Sequence, residues 1–298
     1  MAAPRPSPSL RALLTRVVDY AGLFPPAALP MAEAVVRYSA YLQSADAWML
    51  DRFVVPASRL NELVGAMTSH LASPAQPWRL SVLLDDATTD APHVRAFSAA
   101  HGERFVVEAV EGRAANADEI ERLIGACEPG LERYVELPHR DDPRALLDSV
   151  RRAGGRAKIR MGGVTPGAFP SAMEIARFIV CCAESGVAFK ATAGLHHAVR
   201  GDYRLTYDAD ASCAPMFGFL NLFVASALAA AGVAESAIVP LLEERRGAAF
   251  AFDVDGMRWR DHVVPIDRIV HARLGLAVAF GSCSFEEPRD DLRELALL

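Results

Sequence analysis

Primary amines are the rarest charged groups in this sequence of 298 residues. Two of its 31 cationic side chains are lysines, Lys158 and Lys190, so the other 29 are arginines. Exposed lysines and arginines do similar work, but only the amine can lose its proton near neutral pH and attack a carbonyl carbon. The presence of two amines in an arginine-rich sequence therefore points to covalent carbonyl chemistry.

The segments around the two lysines predict that both amines face the same interior. Each segment is short, apolar and typical of a parallel strand, in which neighbouring side chains point to opposite faces. In one segment Lys190 and Thr192 share a face opposite the bulky residues, and in the other Lys158 and Arg160 do so. Polar groups from consecutive strands are therefore expected to line a common inner surface.

The elements that must position these groups recur along the chain. Eight apolar segments are each followed by a stretch of helical periodicity, which predicts an α/β fold, a single (β/α)8 barrel of the TIM type. An open, doubly wound sheet is the alternative. The predicted strands lie near residues 47–55, 79–85, 104–110, 133–138, 157–161, 187–192, 216–221 and 249–253.

Two regions are distinguished by this pattern. Residues 46–298 are expected to form the barrel, and residues 1–45 an N-terminal tail, up to about Leu10, and a helical extension that packs on the barrel. Cap signals support the intervening helices: Ser171 with Glu174 forms a capping box and Gly186 can end that helix.

Functional groups of such barrels gather at the carboxyl ends of the strands. Isolated charges in a core cost several kcal/mol each, so inward-facing charged groups must pair with one another, with water or with a ligand. We interpret Lys190 as a nucleophile, with Glu136 and Lys158 sharing proton transfer. The expected substrate-binding residues are Thr192, Arg160, Glu108, His196, His197, Asn221 and Asp253.

The nucleophile requires an uncharged amine. A free lysine amine has a pKa near 10.4, so about three units of depression, or roughly 4 kcal/mol, leave half of it neutral at pH 7. We expect burial and the cations Lys158 and Arg160 to lower the pKa of Lys190. The resulting imine would act as an electron sink for C–C bond cleavage or formation, dehydration or decarboxylation, with no cofactor.

The stretch from Ala157 to Leu195 resembles the fifth and sixth strands of deoxyribose-phosphate aldolases, within the class I aldolase superfamily. It has a lysine, Lys158, near the start of the first strand, and it closes on the sequence from Gly186 to Leu195 around Lys190. The resemblance implies that Lys190 forms the Schiff base and that Lys158 matches the strand-five lysine.

The sequence departs from that family at the next two strands. The family carries a second essential lysine on strand seven, whereas segment 216–221 has no lysine, and a glycine-rich phosphate cradle between strands seven and eight is missing. We therefore expect a small carbonyl substrate other than a phosphorylated sugar.

Two other functions fit the same residues. A divalent metal bound by Glu108, Glu136, His139 and His196 would make the chain a metal-dependent lyase or isomerase. A non-catalytic barrel that binds a ligand is the second alternative. Cys283, in a small polar string near the C-terminus, is a candidate thiol nucleophile without a local histidine partner in sequence.

Composition excludes several classes of partner. The net charge is −6 and no basic run occurs, so a nucleic-acid surface is not expected. The apolar stretch 217–234 contains polar residues and lacks basic flanks, which favours a buried strand and core helix over a membrane span. Five scattered cysteines fit reduced thiols in the cytoplasm. Formation of a homo-oligomer is left open by the sequence.

Overall fold

The computed structural model describes residues 6–71 and 76–298. These residues form a closed barrel of eight parallel strands, together with a two-stranded and a three-stranded antiparallel sheet. The strands are β1 (Val18–Tyr20), β2 (Leu50–Pro56), β3 (Trp78–Leu83), β4 (Phe105–Arg113), β5 (Glu132–Glu136), β6 (Arg156–Arg160), β7 (Phe189–Thr192), β8 (Gly201–Arg204), β9 (Cys213–Met216), β10 (Phe250–Phe252), β11 (Gly256–Trp259), β12 (His262–Pro265) and β13 (Ala277–Ser282).

The barrel confirms the predicted fold class. Its strands β1 to β7 follow one another around the ring, and β13 closes it between β7 and β1. In the register of β6 and β7, Lys158 lies directly beside Lys190, and Arg160 beside Thr192. The prediction that the two lysines lie on neighbouring parallel strands is thus confirmed.

Helices surround the barrel and connect its strands. Within the part of the chain that the structure describes they are α1 (Pro8–Leu14), α2 (Met31–Leu42), α3 (Leu60–His70), α4 (Ala87–His101), α5 (Ala117–Ala126), α6 (Arg144–Arg152), α7 (Ala172–Ser185), α8 (Phe219–Ala230), α9 (Glu235–Leu242), α10 (Ile266–Gly275) and α11 (Glu286–Glu294). Short 3₁₀ turns occupy Ala47–Met49, Ala57–Arg59, Pro166–Ala168 and Gly247–Ala249.

Local cap signals were read correctly for α7. The Ser171 side chain accepts from the backbone of Glu174, the Glu174 side chain accepts in return, and Gly186 ends the helix with a left-handed φ of 65°. The predicted N-terminal tail, in contrast, contains the start of a helix. Residues 1–5 lie outside the described residues, and α1 already begins at Pro8, behind the cap of Ser7.

The first strand of the barrel lies inside the region predicted to be an extension. Val18–Tyr20 is only three residues long and has an aspartate at its centre, so it shows no apolar run, yet it pairs with β2 and β13. The predicted boundary at residue 45 is therefore wrong. It also follows that Lys158 and Lys190 lie on the sixth and seventh strands, one later than predicted.

Two predicted barrel strands have other structures. Segment 216–221 ends β9 and begins α8, which is buried on almost every side and so lacks the one-sided periodicity of a surface helix. Segment 249–253 contributes β10 to the antiparallel sheet with β11 and β12. The last barrel strand is instead Ala277–Ser282.

The connection from β7 to α8 covers the carboxyl ends of the strands. It carries the hairpin of β8 and β9, whose Leu205, Ala214 and Met216 pack with Phe169 from the connection after β6. No helix among the described residues is both long enough and apolar enough to cross a bilayer.

Candidate active site

The only two lysines are joined by one buried carboxylate, that of Glu111 on β4. Lys190 Nζ donates to Glu111 Oε1 at 2.6 Å, and Lys158 Nζ lies 2.9 Å from Glu111 Oε2. Strands β4 and β7 are not neighbours in the ring, so this contact crosses the interior of the barrel. Each oxygen of a single carboxylate therefore holds one amine.

Two further carboxylates extend this arrangement at either end. Lys190 also pairs with Asp19 on β1, and Lys158 Nζ lies 3.0 Å from Glu136 Oε2 on β5. Acidic and basic groups thus alternate across the barrel. We call this set the lysine cluster; it comprises Asp19, Lys190, Glu111, Lys158 and Glu136.

The cluster is dry. The exposed fraction is 1% for Lys190 and 2% for Glu111. Burial by itself lowers the pKa of Lys190, but the carboxylates of Asp19 and Glu111 outweigh burial and raise the pKa above its ordinary value. The expected depression by Lys158 and Arg160 is therefore wrong, because two carboxylates are hydrogen-bonded to the amine.

Glu111 is held as a carboxylate by the same contacts. Burial by itself raises its pKa, but the ammonium groups of Lys158 and Lys190 together hold the pKa well below the ordinary value. Ser81 on β3 donates a further hydrogen bond of 2.6 Å to Oε1. Glu136 shows the same balance, since Lys158 and Arg160 lower its pKa against burial.

Sequence reasoning missed Glu111 because of an irregularity in β4. The register with β3 pairs Leu80 with Val107 and then Ser81 with Ala109, so it skips Glu108. Such a bulge shifts the alternation by one residue. Glu108 and Glu111, three residues apart, consequently both have inward-facing side chains, although the predicted strand ended at residue 110.

Asp19 was missed because nothing local marks it. It lies in the shortest barrel strand, and its Lys190 partner is 171 residues away in sequence. Its Oδ1 accepts from the backbone N–H of Arg52 at 3.2 Å, which fixes the carboxylate from the β2 side. The aspartate is 0% exposed.

A cavity of about 340 Å³ lies over the lysine cluster, at the carboxyl ends of the strands. The cluster supplies its floor and the connections after β1, β6, β7 and β13 supply its walls. The lining residues are Ala21, Phe24, Pro25, Val54, Leu83, Glu111, Arg113, Lys158, Arg160, Gly163, Val164, Lys190, Thr192, Ala193, His196, Gly281 and Cys283.

Two glycines let the walls approach each other above the lysines. Gly194, after β7, has a left-handed φ of 68°, and a Cβ at this position would lie 2.9 Å from the Cα of Gly162, after β6. Only glycine combines this conformation with this closeness without strain. The connections beyond the two lysine strands are therefore in backbone contact.

A second group of reactive side chains lies on the wall of the cavity. Nδ1 of His196 is 3.7 Å from Sγ of Cys283 and 3.4 Å from Oε2 of Glu287. Burial by itself lowers the pKa of His196, but Cys283 and Glu287 outweigh it and raise the pKa to about 10. Tyr207, from the hairpin, donates to Glu287 at 3.1 Å. Both neighbours therefore favour the protonated form of the His196 imidazole.

This group could not be found from sequence spacing. Cys283 lies 87 residues after His196, and the two meet only because β13 and β7 are neighbours in the ring. A cysteine with no histidine nearby in sequence thus acquires one in the fold. Thr192 and Arg160, predicted to bind substrate, do line the cavity beside the lysines.

Glu108 does not belong to this site. It lies in a separate set of ion pairs at the amino-terminal ends of the strands, where Arg52 Nε donates to it at 3.0 Å and Arg79 Nε at 2.6 Å. The cause is its early position in β4, five residues before the strand ends at Arg113. We call this set the arginine network; it comprises Arg16, Asp51, Arg52, Arg79, Glu108, Glu132 and Arg156.

Three other predicted substrate-binding residues have structural contacts instead. Asn221 is buried in α8, where its amide donates to the carbonyl oxygens of Leu241 and Glu244, each at 2.8 Å. Asp253 is exposed and caps the turn before β11. His197 lies 3.1 Å from Asp291 and stacks on Tyr203.

The predicted metal ligands are not brought together. Glu108 lies in the arginine network, Glu136 pairs with Lys158, and His139 lies in the connection after β5. Among residues 6–71 and 76–298, no three side chains of His, Cys, Asp or Glu are arranged to hold a metal ion. The metal alternative with this ligand set is therefore wrong.

The fold and the site define an eight-stranded parallel barrel with a lysine–carboxylate cluster at the carboxyl ends of its strands. Comparison of the chain with protein-family models and with curated proteins gives no match.

Proposed function

We propose that this chain is an enzyme, a lyase of the class I aldolase type, in which Lys190 forms an imine with a small carbonyl compound. One observation carries the proposal: the only two lysines of an arginine-rich chain meet at one buried carboxylate beneath a cavity of about 340 Å³. Its position at the carboxyl ends of the strands is where barrel enzymes have their active sites.

The choice of amine over guanidinium supports this chemistry. In the arginine network of the same barrel every cationic partner of a carboxylate is a guanidinium group, so structural ion pairing here does not require lysine. An amine adds what a guanidinium lacks, which is a proton that can be removed and a nucleophilic lone pair.

The carboxylates around Lys190 provide the route for its proton. The raised pKa of Lys190 favours its protonated form, so a proton must leave Nζ before attack. Asp19 and Glu111 are both hydrogen-bonded to Nζ, and transfer to either replaces two buried charges by two neutral groups. The neutral amine then attacks the carbonyl carbon to form the C–N bond. The C–O bond breaks, and the oxygen leaves as water with the two protons that Nζ has lost, passed on through these carboxylates, so that a protonated imine remains.

Groups on either side of the imine would carry out the later proton transfers. The Lys158–Glu136 pair lies on one side, and the imidazolium of His196 lies on the wall of the cavity. Such groups meet the need of aldol chemistry for one general acid or base near the reacting carbon. Arg160 and Thr192 are placed to bind a substrate oxygen or carboxylate.

Reductive trapping tests the proposal on the unmodified protein. The chain is incubated with short-chain aldehydes and 2-oxo acids, reduced with borohydride, and analysed by intact mass and peptide mapping. Lys158 and Lys190 are the only side-chain primary amines, so Lys158 serves as an internal control in every digest. We expect the reduced adduct on Lys190 and none on Lys158.

Two variants separate the imine from other roles of Lys190. Lys190→Arg keeps the positive charge and removes the nucleophile, so both the adduct and the turnover should be lost. Lys158→Arg, the matched control on the neighbouring strand, should still form the adduct, at a lower rate. Turnover that survives in Lys190→Arg would instead assign Lys190 as a fixed cation, and binding without turnover would favour a ligand-binding barrel.

We further propose that the protein works in the reducing cytoplasm. All five cysteines are free thiols, and Cys283 lies at the cavity beside His196. Persistent disulfides are rare in that compartment. Reactivity of the thiols toward a maleimide reagent in freshly lysed cells would test this location.

A further inference from the structure

A second cavity lies at the opposite end of the barrel. Its volume is about 490 Å³, and it lies beside the first residues of β2, β5, β6 and β13. Of the described residues, none lines both cavities. The lining residues are Ala12, Thr15, Arg16, Asp51, Arg52, Glu132, Tyr134, Arg156, Val270, Arg273, Leu274, Val278 and Ala279.

The lining has an excess of positive charge. Four guanidinium groups face two carboxylates, which leaves two formal positive charges uncompensated within the lining. Arg16 pairs with Asp51 at 2.8 Å, and Glu132 is shared by Arg52 at 2.8 Å and Arg156 at 2.9 Å. Both carboxylates of the lining are therefore already paired with arginines.

Arg273 has no carboxylate partner in the described part of the chain. Its exposed fraction is 8%, its Nη2 donates to the Thr15 carbonyl at 3.2 Å, and its Nη1 donates to the Ala277 carbonyl. Its Nε is buried without a hydrogen-bond acceptor. Burial lowers the pKa of Arg273 to about 10. A buried guanidinium in this state would be stabilised by an added anion.

Arg16 is held at the same cavity by a strained backbone. It has a left-handed φ of 51°, which is uncommon for a residue with a side chain. The backbone N–H of Arg16 donates to the Trp48 carbonyl at 2.8 Å, which fixes the conformation. Strain of this kind clusters at ligand-binding sites, so it is consistent with a site here.

The rim of the cavity is apolar. Leu274 and Val270 on α10 are 75% and 41% exposed, and they line the same cavity as Arg273. Exposed aliphatic side chains next to buried positive charge match a ligand with an anionic group and a hydrocarbon portion.

We propose that this cavity binds a small organic anion, whose carboxylate or phosphate group contacts Arg273 and whose short aliphatic portion contacts Leu274 and Val270. The site is independent of the proposed imine chemistry, because it lies at the other end of the barrel.

Titration calorimetry with hexanoate, hexyl phosphate and inorganic phosphate tests the site. We expect saturable binding of a hexyl ligand, with inorganic phosphate binding more weakly because it lacks the aliphatic portion. The better of the two hexyl ligands identifies the anionic group. Leu274→Glu places a negative charge on the exposed rim and should weaken binding about tenfold or more. Met173→Glu, the same change at another exposed apolar residue, on α7 (56% exposed), is the control and should leave binding unchanged.

Several outcomes would overturn the site. These are the absence of saturable binding of all three ligands at millimolar concentration, an equal loss in Leu274→Glu and Met173→Glu, and unchanged binding in a folded Arg273→Met variant. Leu274→Glu keeps the test decisive if Arg273→Met fails to fold, since residue 274 is largely exposed. Reductive trapping on Lys190 should proceed equally in Leu274→Glu.

Discussion

The lysine cluster and the arginine network solve the same problem, buried charge in a barrel, in different ways. In the arginine network two of the three carboxylates are partly open to water: the side chains of Glu108 and Glu132 are 26% and 28% exposed, whereas that of Asp51 is 7% exposed. In the lysine cluster Asp19, Lys190 and Glu111 are almost fully enclosed. Desolvation is therefore most costly where the side chains are amines.

The difference is the one expected between a structural arrangement and the catalytic arrangement proposed above. Planar guanidinium groups can bind two carboxylates at once and stay charged, which suits a permanent network. Amines can be deprotonated by the carboxylates they contact, which suits a site where protons move. We infer that the charges at the amino-terminal ends hold the barrel together, whereas those at the carboxyl ends are retained for chemistry.

The largest effect that tests this contrast is expected for Lys190→Met. The change leaves Asp19 and Glu111 buried without their shared cation, so the free energy of unfolding should fall by about 3–5 kcal/mol. Denaturant unfolding monitored by circular dichroism measures it. Adding Glu111→Gln to Lys190→Met should recover part of the loss, and a loss below about 1 kcal/mol would contradict a tightly coupled cluster.

A smaller effect is expected for Glu108→Gln in the arginine network. Arg52 keeps Glu132 and Arg79 keeps Asp51, and the site is partly open to water, so the loss should be about 1–2 kcal/mol. The same unfolding assay measures it. A loss as large as that of Lys190→Met would remove the distinction between the two regions.

In the wild type, the stabilisation that comes from the Lys190 and Glu111 contacts should hardly change with pH across the neutral range. The contribution of the raised Lys190 pKa is fully present below its ordinary value of 10.5 and is lost as the pH rises through the folded-state pKa. The contribution of the lowered Glu111 pKa is present above 4.5 and is lost as the pH falls through the folded-state pKa.

Unfolding of the wild type and of Lys190→Met at several pH values tests this. The difference between them should grow as the pH rises through the neutral range, because the buried carboxylates of Asp19 and Glu111 in the variant lack their cation and are relieved by protonation only at lower pH. A decline between pH 6 and pH 9 would indicate that Lys190 or Glu111 titrates near neutrality, contrary to the contacts in the cluster.

The smallest effect concerns the wall of the cavity. His196 should titrate with a midpoint near its raised pKa of about 10, whereas an exposed histidine titrates near 6.5. Ring-proton NMR with a His196→Gln spectrum for assignment measures the midpoint. Glu287→Gln should lower it, because one partner of the imidazolium loses its charge. An unshifted His196 would remove the imidazolium from the proposed proton transfers.

The barrel was predictable from sequence where its strands are apolar and inward alternation is regular. Segments 157–161 and 187–192 meet both conditions, and their lysines lie where alternation places them. Val18–Tyr20 was missed because three residues with a central aspartate carry no apolar signal. Helix α8 was partly mistaken for a strand because a helix buried on all sides has no polar face to reveal its period.

The candidate site was predictable only in part. Lys158, Lys190, Arg160, Thr192 and His196 were placed at the cavity by local pattern and by position after a strand. Asn221 and Asp253 were misplaced because the strands assigned to them do not belong to the barrel. Cys283 and Glu287 join His196 only through the closure of the ring by β13.

The sequence by itself determined that two rare amines point into one interior, because strand alternation is a local property of the backbone. The carboxylates that surround Lys190 follow from the tertiary structure alone. The partners that raise the pKa of Lys190 are Asp19, 171 residues away, and Glu111, which faces inward through an irregularity in β4. Ion pairs form between atoms a few ångströms apart, whatever their separation in sequence. The closure and register of the barrel, and not a local sequence pattern, therefore determine that Asp19 and Glu111 pair with Lys190.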